Sequence, residues 1–439
     1  MNRRSTIYAL SSGSGRAGIA VIRVSGPAAC DVVVRLGCAV PKPRVAGLRN
    51  LLSASDGRVI DQALVFWFPG PHSATGEDVV ELHVHGSPAV IEKVFSEFRL
   101  MEHLVPAEAG AFTRRAFANN VLDLVEVEGL ADLLAAESEA QRLLAMRQFL
   151  GEASTVYESW RLKLLEALAM AEASIDFIEE PDVVADAHSR VLPVVVALRA
   201  ELTAALQQSE QAAVVRDGLR VVIAGPPNVG KSSLLNWLAG RDVAIVADVA
   251  GTTRDVVEAV VRIGGARLVL ADTAGLRTDS SDDIEKLGIA KAESRIGDAD
   301  ILIWVTSPDV DAKVGPARTP DIHVLNKIDL GSIHLRNENS CAVSLKSGEG
   351  LSALHAVLLD VVQKRSKLGD SAVVVRDRHV FAVSQTIRKL NNILATGDLG
   401  LEVVAEELRS AVRLMSSITG RLDVEDLLGK IFSEFCIGK

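Results

Sequence analysis

The sequence predicts a multidomain chain, α/β plus all-α, in which a P-loop nucleotide-binding domain is inserted between two helical segments. Three observations predict it. At 439 residues the chain is too long for a single hydrophobic core. Gly225-Pro-Pro-Asn-Val-Gly-Lys231-Ser232 is a complete GxxxxGK[ST] phosphate loop, set between the apolar, β-branched run Leu219–Ala224 and a helical pattern over Lys231–Ala239. From Leu122 to about Ala213 strand signals vanish and apolar residues recur at helical spacing, as in Tyr157, Trp160, Leu164 and Leu168, and the stretch from about Val375 to Lys439 reads as helical again.

Taken in order, residues 1–118 mix strands (Ile19–Val24, Ala63–Phe68, Val79–Val84) with helices (about Ala28–Leu36 and Pro88–Met101), split by Gly and Pro turns, and make a small α/β module. Residues 119–215 form the first helical part. Residues 216–366 alternate strand and helix as a doubly wound sheet requires, and 367–439 supply the second helical part, which can pack on the first. Between Trp304 and Ile322 the nucleotide-binding domain is short, and Pro308, Pro316 and Pro320 stand where a helix is expected, so a loop is expected instead.

Composition narrows the class. With 48% apolar and 24% charged residues the chain has no disorder signature, and a net charge of −10 argues against a broad basic face, leaving nucleic acid to a local patch or a partner subunit. Cys30, Cys38, Cys341 and Cys436 show neither CxxC pairs nor zinc spacing, as in a reducing compartment. No apolar run reaches transmembrane length and no signal peptide is evident, so a cytoplasmic protein is expected. His83 and His85 share one strand face without a third ligand at useful spacing, which favours a structural role.

The motifs follow one ligand from end to end. The backbone N–H groups of the phosphate loop (Asn228, Val229, Gly230, Lys231, Ser232, Ser233) and the helix that follows suit phosphates, with Lys231 reaching the β- and γ-phosphates and the Ser232 hydroxyl on Mg²⁺. Asp272-Thr273-Ala274-Gly275 ends a second apolar run, so Asp272 falls near the Mg²⁺ shell and the Gly275 N–H can meet the γ-phosphate. Asn326-Lys327-Ile-Asp329 follows, and the Asp329 carboxylate can accept two hydrogen bonds from guanine that adenine cannot supply, which selects GTP. Ser344-Leu-Lys346, after the short strand Cys341–Val343, resembles a loop that backs the base. After Asp-Thr-Ala-Gly, Leu276 replaces the glutamine that small GTPases use to orient water, leaving Asp279, Asp282, Asp283 and Glu285 as candidates. Asn228, with the loop Asp248–Asp255, suits a monovalent-cation site in which K⁺ would do the electrostatic work of an arginine finger.

The whole chain resembles the tRNA uridine 5-carboxymethylaminomethyl modification GTPase family (MnmE/TrmE). The likeness lies in Gly15-Arg-Ala-Gly18 through Pro27, Trp67-Phe-Pro-Gly-Pro71, Thr75-Gly-Glu-Asp78, His85-Gly86, Asn228 through Asn236, Ala250-Gly-Thr-Thr-Arg-Asp255, Asp272 through Arg277, and the ending Asp426 through Phe432 into Cys436-Ile-Gly-Lys439. The resemblance implies an N-terminal α/β folate-binding and dimerisation module, a helical domain formed by two chain segments, and an inserted Ras-like P-loop GTPase domain. It implies that Glu285 positions the attacking water. It further implies that Asn228 ligates K⁺ with the carbonyls of Ala247, Val249 and Thr252, and that Thr253 joins Ser232 on Mg²⁺. Arg23, Glu81 and Lys439 would contact 5-formyl- or methylene-tetrahydrofolate, with Cys436 close by as a catalytic residue. The implied partners are a second copy of the chain, an FAD-containing subunit (as a heterotetramer) and tRNA, with no membrane.

Some positions depart from the family pattern: Ser12-Gly-Ser14 and Ala111 differ, and Val121 replaces a lysine usual before Leu-Asp-Leu. Plain readings stand beside the functional ones, with Arg23 and Glu81 as surface charges and the last four residues as a frayed tail. Two rival functions also remain, a regulatory GTPase on RNA or ribosomes without modification chemistry, and a GTP-regulated folate enzyme acting on a small molecule.

Overall fold

A computed structural model of the chain describes residues 5–175, 181–241, 258–272, 295–310, 315, 316, 318–331, 340–367, 373–395, 400–421, 428, 429, 431, 432, 435, 438 and 439. The side chains of 181–188, 241, 258 and 272 lie outside the description. The chain divides into two compact units. One comprises Met1–Ala131, Gln148–Arg161 and Val412–Lys439, and the other Asp132–Arg147 and Leu162–Ala411.

The first unit is built on a six-stranded sheet. Its strands are β1 (Thr6–Leu10), β2 (Ala17–Ser25), β3 (Gly47–Leu52), β4 (Val59–Phe68), β5 (Val79–Gly86) and β6 (Leu104–Pro106), ordered β3-β4-β5-β2-β1-β6. β1 and β6 run parallel; the other neighbours are antiparallel. Alternation along β2 sends Ala20, Ile22 and Val24 to one face, where they meet Val32 and Val33 of α1 (Ala29–Arg35) and Val94 and Phe98 of α2 (Pro88–Phe98). Pro88 starts α2 at a position where its missing N–H costs nothing. Tyr8 closes this core edge-on to Phe95 and Phe98, at 5.2 and 5.1 Å between centroids. Each fully buried aliphatic or aromatic side chain here contributes about 1.5–3 kcal/mol.

The opposite face carries a smaller cluster among the described residues. Ile7 and Ala9 of β1 pack on Ala107 and on Ala111 and Phe112 of α3 (Ala111–Ala118). Beyond α3, α4 (Leu124–Ala135) supplies Leu124 and Val127 to a cluster with Ile431, Phe432 and Phe435, so the end of the chain is built into this unit.

The second unit carries the other sheet, with β7 (Leu219–Ala224), β8 (Glu258–Ile263), β9 (Ala266–Asp272), β10 (Ile301–Thr306), β11 (Ile322–Leu325) and β12 (Ser340–Ala342) in the order β12-β11-β10-β7-β9-β8. All neighbours are parallel except β8 with β9. β7 matches the strand expected from its apolar run, and its Val221 and Ile223 sit in a core with Leu234, Leu235 and Leu238 of α9 (Lys231–Arg241). Between β10 and β11 the described residues hold no helix, and residues 311–314 and 317, on which the expectation of a loop also falls, lie outside the described residues.

The strandless stretch expected from helical periodicity holds α5 (Glu139–Phe149), α6 (Glu152–Ile175), α7 (Pro181–Gln207) and α8 (Ser209–Asp217). After α10 (Leu351–Arg365) come α11 (Asp377–Ala395), which packs on α7, and α12 (Leu401–Ile418). Where the chain enters and leaves the nucleotide-binding domain the two passages are tied together. Arg216 donates to the Val375 carbonyl at 2.8 Å, Gln141 donates to the Arg216 carbonyl at 2.8 Å, and Val375 packs with Leu144, Ala212 and Val215. These ties are the physical signature of a domain inserted into a helical one. No helix among the described residues is long and apolar enough to cross a membrane.

Candidate functional site

The phosphate loop leaves the carboxyl end of β7, the central strand flanked by β10 and β9, where strand order reverses and open α/β sheets bind ligands. Gly230 and Asn228 both adopt left-handed backbone, at φ 102° and 63°. A Cβ on Gly230 would lie 2.3 Å from Asn326 Nδ2, so only glycine lets the base motif approach the phosphate loop this closely. Lys231, 8% exposed, opens α9 and curls back so that Nζ donates to the carbonyls of Gly225 at 3.0 Å and Pro226 at 2.8 Å. Ser232 and Ser233 follow in the first turn of α9, whose positive dipole end faces the loop.

Asn326, at the end of β11 and 3% exposed, links three segments. Its amide donates to the Val229 carbonyl at 2.8 Å, and its Oδ1 accepts from the Leu345 N–H at 3.2 Å. The exposed Asp329 lies two residues beyond Lys327, in a 3-10 turn (Ile328–Leu330), and its Oδ1 accepts from the fully buried Ser344 hydroxyl at 2.7 Å. Among the described residues no further hydrogen bond reaches this carboxylate. Lys327, left-handed at φ 62°, pairs through Nζ with Asp309 Oδ2 at 2.6 Å, and the Ser307 hydroxyl donates to Asp309 Oδ1 at 2.6 Å. Lys327 and then Ser307 hold the Asp309 carboxyl below its ordinary range, so it is charged at neutral pH. Asp309 and Ser307 were not legible as site residues, because nothing in the sequence joins positions 18 apart across two strands.

Several expected residues fall outside the described ones: Ala247, Val249, Thr252, Thr253, Thr273, Ala274, Gly275, Glu285 and Cys436. Asp272 ends β9 by its backbone, and its side chain is not described.

In the first unit, cross-strand register sets Arg23 of β2 opposite Glu81 of β5, and Glu81 opposite Phe66 of β4. Arg23 Nε and Nη2 both reach Glu81 Oε1 at 2.9 Å, and His83 Nε2 lies 3.4 Å from Glu81 Oε2. Rings surround the pair. The Arg23 guanidinium lies 5.8 Å from the Phe112 ring centroid, and Phe66 stacks on Phe68 and tilts against His83 at 4.8 Å. Arg115 anchors α3, which carries Phe112, by donating to the Ser25 carbonyl at 3.0 Å and the Ser5 carbonyl at 2.6 Å.

The end of the chain reaches this sheet. The Ser11 hydroxyl donates to the Gly438 carbonyl at 2.8 Å, and a Cβ on Gly438, at φ 100°, would stand 2.1 Å from the Leu10 carbonyl oxygen. Lys439 therefore lies beside the end of β1, whose Ala9 pairs with Arg23. Gly438→Ala is expected to lower stability by about 1–3 kcal/mol through strain and clash. It should also speed hydrogen exchange across residues 428–439; unchanged exchange would show that the tail is seated without this contact. Burial is the largest cause that pushes up the thiols of Cys30, Cys38 and Cys341, which suits them to packing more than to nucleophilic chemistry.

A phosphate loop on the central strand, joined by one buried asparagine to a carboxylate-bearing base pocket, defines a P-loop guanine-nucleotide-binding protein. Two family profiles match the chain, "GTP-binding protein TrmE N-terminus" over residues 6–121 and "MnmE helical domain" over 124–436. It is 44% identical over 437 residues to the tRNA modification GTPase MnmE of Beijerinckia indica subsp. indica, covering 99% of this chain and 96% of that one. It is 46% identical over 441 residues to the protein of the same name from Parvibaculum lavamentivorans, covering 99% and 100%. Among solved structures, the G domain of the T. maritima FeoB iron transporter aligns at 27% identity and a TM-score of 0.24, covering 33% of this chain and 99% of that one. The chain belongs to the tRNA modification GTPase MnmE family.

Proposed function

We propose that this chain is a K⁺-dependent GTPase that acts in the cytoplasm as a homodimer with an FAD-containing partner subunit. Its product is a carboxymethylaminomethyl group at C5 of the wobble uridine of certain tRNAs, built with a one-carbon unit from 5-formyl- or methylene-tetrahydrofolate. The observation that carries the nucleotide half is the Asn326 bridge from the Val229 carbonyl to the Leu345 N–H, which sets phosphate loop and base pocket at one fixed separation. Family likeness over the full length carries the tRNA half.

In this reading the phosphate-loop N–H groups and Lys231 hold the β- and γ-phosphates, and Glu285 orients a water in line with the γ-phosphorus. Ser232 and Thr253 would hold Mg²⁺, and Asn228 with the carbonyls of Ala247, Val249 and Thr252 would hold K⁺. The two cations supply positive charge against the charge that builds on the phosphates. The left-handed backbone of Asn228, at φ 63°, is compatible with this role. Exchanging KCl for NaCl is expected to leave GTP affinity nearly intact and to lower turnover, read by phosphate release; equal turnover in both salts would argue against the cation site.

For folate, the fit lies in Arg23 and Glu81, a paired donor and acceptor on a sheet face walled by Phe66, Phe68, His83 and Phe112. Such a face suits a flat heteroaromatic ring with polar edges. Lys439 would meet the ligand from the tail, and Cys436 would lie next to it. Closure of paired nucleotide domains on GTP and their release on hydrolysis would reach the modification site through the two helical segments, which meet where Arg216 grips Val375.

The test is mass spectrometry of bulk tRNA nucleosides from a deletion strain carrying the wild-type chain, Lys231→Ala or Arg23→Ala. The wild type should restore the modified uridine and both variants should fail. Levels of the modified uridine that do not change on deletion of the gene would instead favour a regulatory GTPase acting on RNA or ribosomes without chemistry.

A further inference from the structure

After β10 the chain turns through Ser307, which is 5% exposed, into Asp309, and the Asp309 carboxylate is committed on both sides. One oxygen accepts from the Ser307 hydroxyl and the other from the Lys327 ammonium, each at 2.6 Å. At the other end of the lysine, the backbone is set by Asn326 on one side and the Ile328–Leu330 turn on the other. The four-carbon stem of Lys327 is thus held at both ends, and a long side chain so restrained presents an apolar strip suited to packing on a flat ring. The ring in question is the base that Asp329, two residues on, is placed to bind.

We propose that Asp309, seated by Ser307, is a positioning residue that holds the Lys327 stem against the guanine base and thereby sets how long the nucleotide stays bound. The inference rests on the nucleotide-site reading above. It gives a role to the turn that leaves β10: Thr306 pairs with Leu325, so Asp309 and Lys327 emerge from adjacent strand ends within reach of each other. A surface ion pair with no such role contributes little, so the two views differ measurably.

The experiment is release of a fluorescent GDP analogue, followed by stopped flow, from the full chain and from Lys327→Ala, Asp309→Ala, Asp309→Asn and the double variant Asp309→Ala/Lys327→Ala. Asp309→Ala should speed release about three- to tenfold, the range for losing one charge-assisted contact that orders a side chain. Asp309→Asn, which keeps an acceptor without the charge and is nearly isosteric, should fall between wild type and Asp309→Ala. The double variant should release no faster than Lys327→Ala, because Asp309 acts only through that lysine. The gap between Asp309→Ala and wild type should also narrow as NaCl is raised from about 0.1 to 1 M at constant KCl, since a part-exposed pair is screened. Wild-type release from both Asp309 variants alongside fast release from Lys327→Ala would overturn the inference, as would effects that multiply in the double variant. Wild-type release from Lys327→Ala would overturn the reading of Lys327 in the site, and the inference with it.

Discussion

Asp329→Asn is expected to turn a GTP-selective site into one that prefers xanthosine triphosphate. The Ser344 hydroxyl donates to Asp329 Oδ1 at 2.7 Å, so an asparagine here would keep its carbonyl oxygen on Ser344 and turn its amide toward the base. That amide is a donor facing the N1–H and exocyclic amine of guanine, which are donors too. Loss of two hydrogen bonds to a charged acceptor costs about 3–4 kcal/mol, or roughly 10²–10³-fold in GTP affinity. Xanthine carries a carbonyl where guanine carries the amine, so the same amide gains a partner. Competition of the two triphosphates against a fluorescent GDP analogue measures the switch. Unchanged preference for GTP would mean that the base is read elsewhere than at Asp329.

Glu285→Ala should bind GTP as the wild type does and hydrolyse it about 10²–10³-fold more slowly, the usual cost of removing a group that orients or deprotonates a nucleophile. The expectation begins from an absence: Leu276 stands where small GTPases place a glutamine, and leucine can neither donate nor accept. Glu285→Gln separates two ways of helping the water. A glutamine can still orient it, so partial activity would point to positioning, while loss equal to that of Glu285→Ala would point to the carboxylate charge. Single-turnover phosphate release at saturating GTP is the measurement, and a wild-type rate in Glu285→Ala would show that this residue has no part in hydrolysis.

Legibility followed locality. The phosphate loop, β7 and the start of α9 were readable to the residue because one contiguous run carries strand, turn and helix in order. β1 was not read. Its Ile7 and Tyr8 are buried on opposite faces, one under Phe112 and one in the main core, so Thr6–Leu10 lacks the alternation that marks a half-buried strand. β3 escaped for the opposite reason, since it is an edge strand in which Leu48 is 57% exposed. Helix α2, expected to run to Met101, stops at Phe98, the last buried residue of the helix; Arg99 and Leu100 are exposed, and the chain then turns toward β6.

By itself the sequence determined the GTPase class, because the motifs that mark it are side chains and backbone N–H groups grouped within a few consecutive residues. Only the tertiary structure decided which charges meet. Arg23 and Glu81 are 58 positions apart and become partners through the register of β2 on β5. Gly438 lies 427 positions from Ser11 and reaches it because Phe432 and Phe435 bury themselves against Leu124 and Val127. Asp309 finds Lys327 because β10 and β11 run side by side and end together. Ion pairs and hydrogen bonds act over about 3 Å, and that distance is set by packing between segments, which no local pattern encodes.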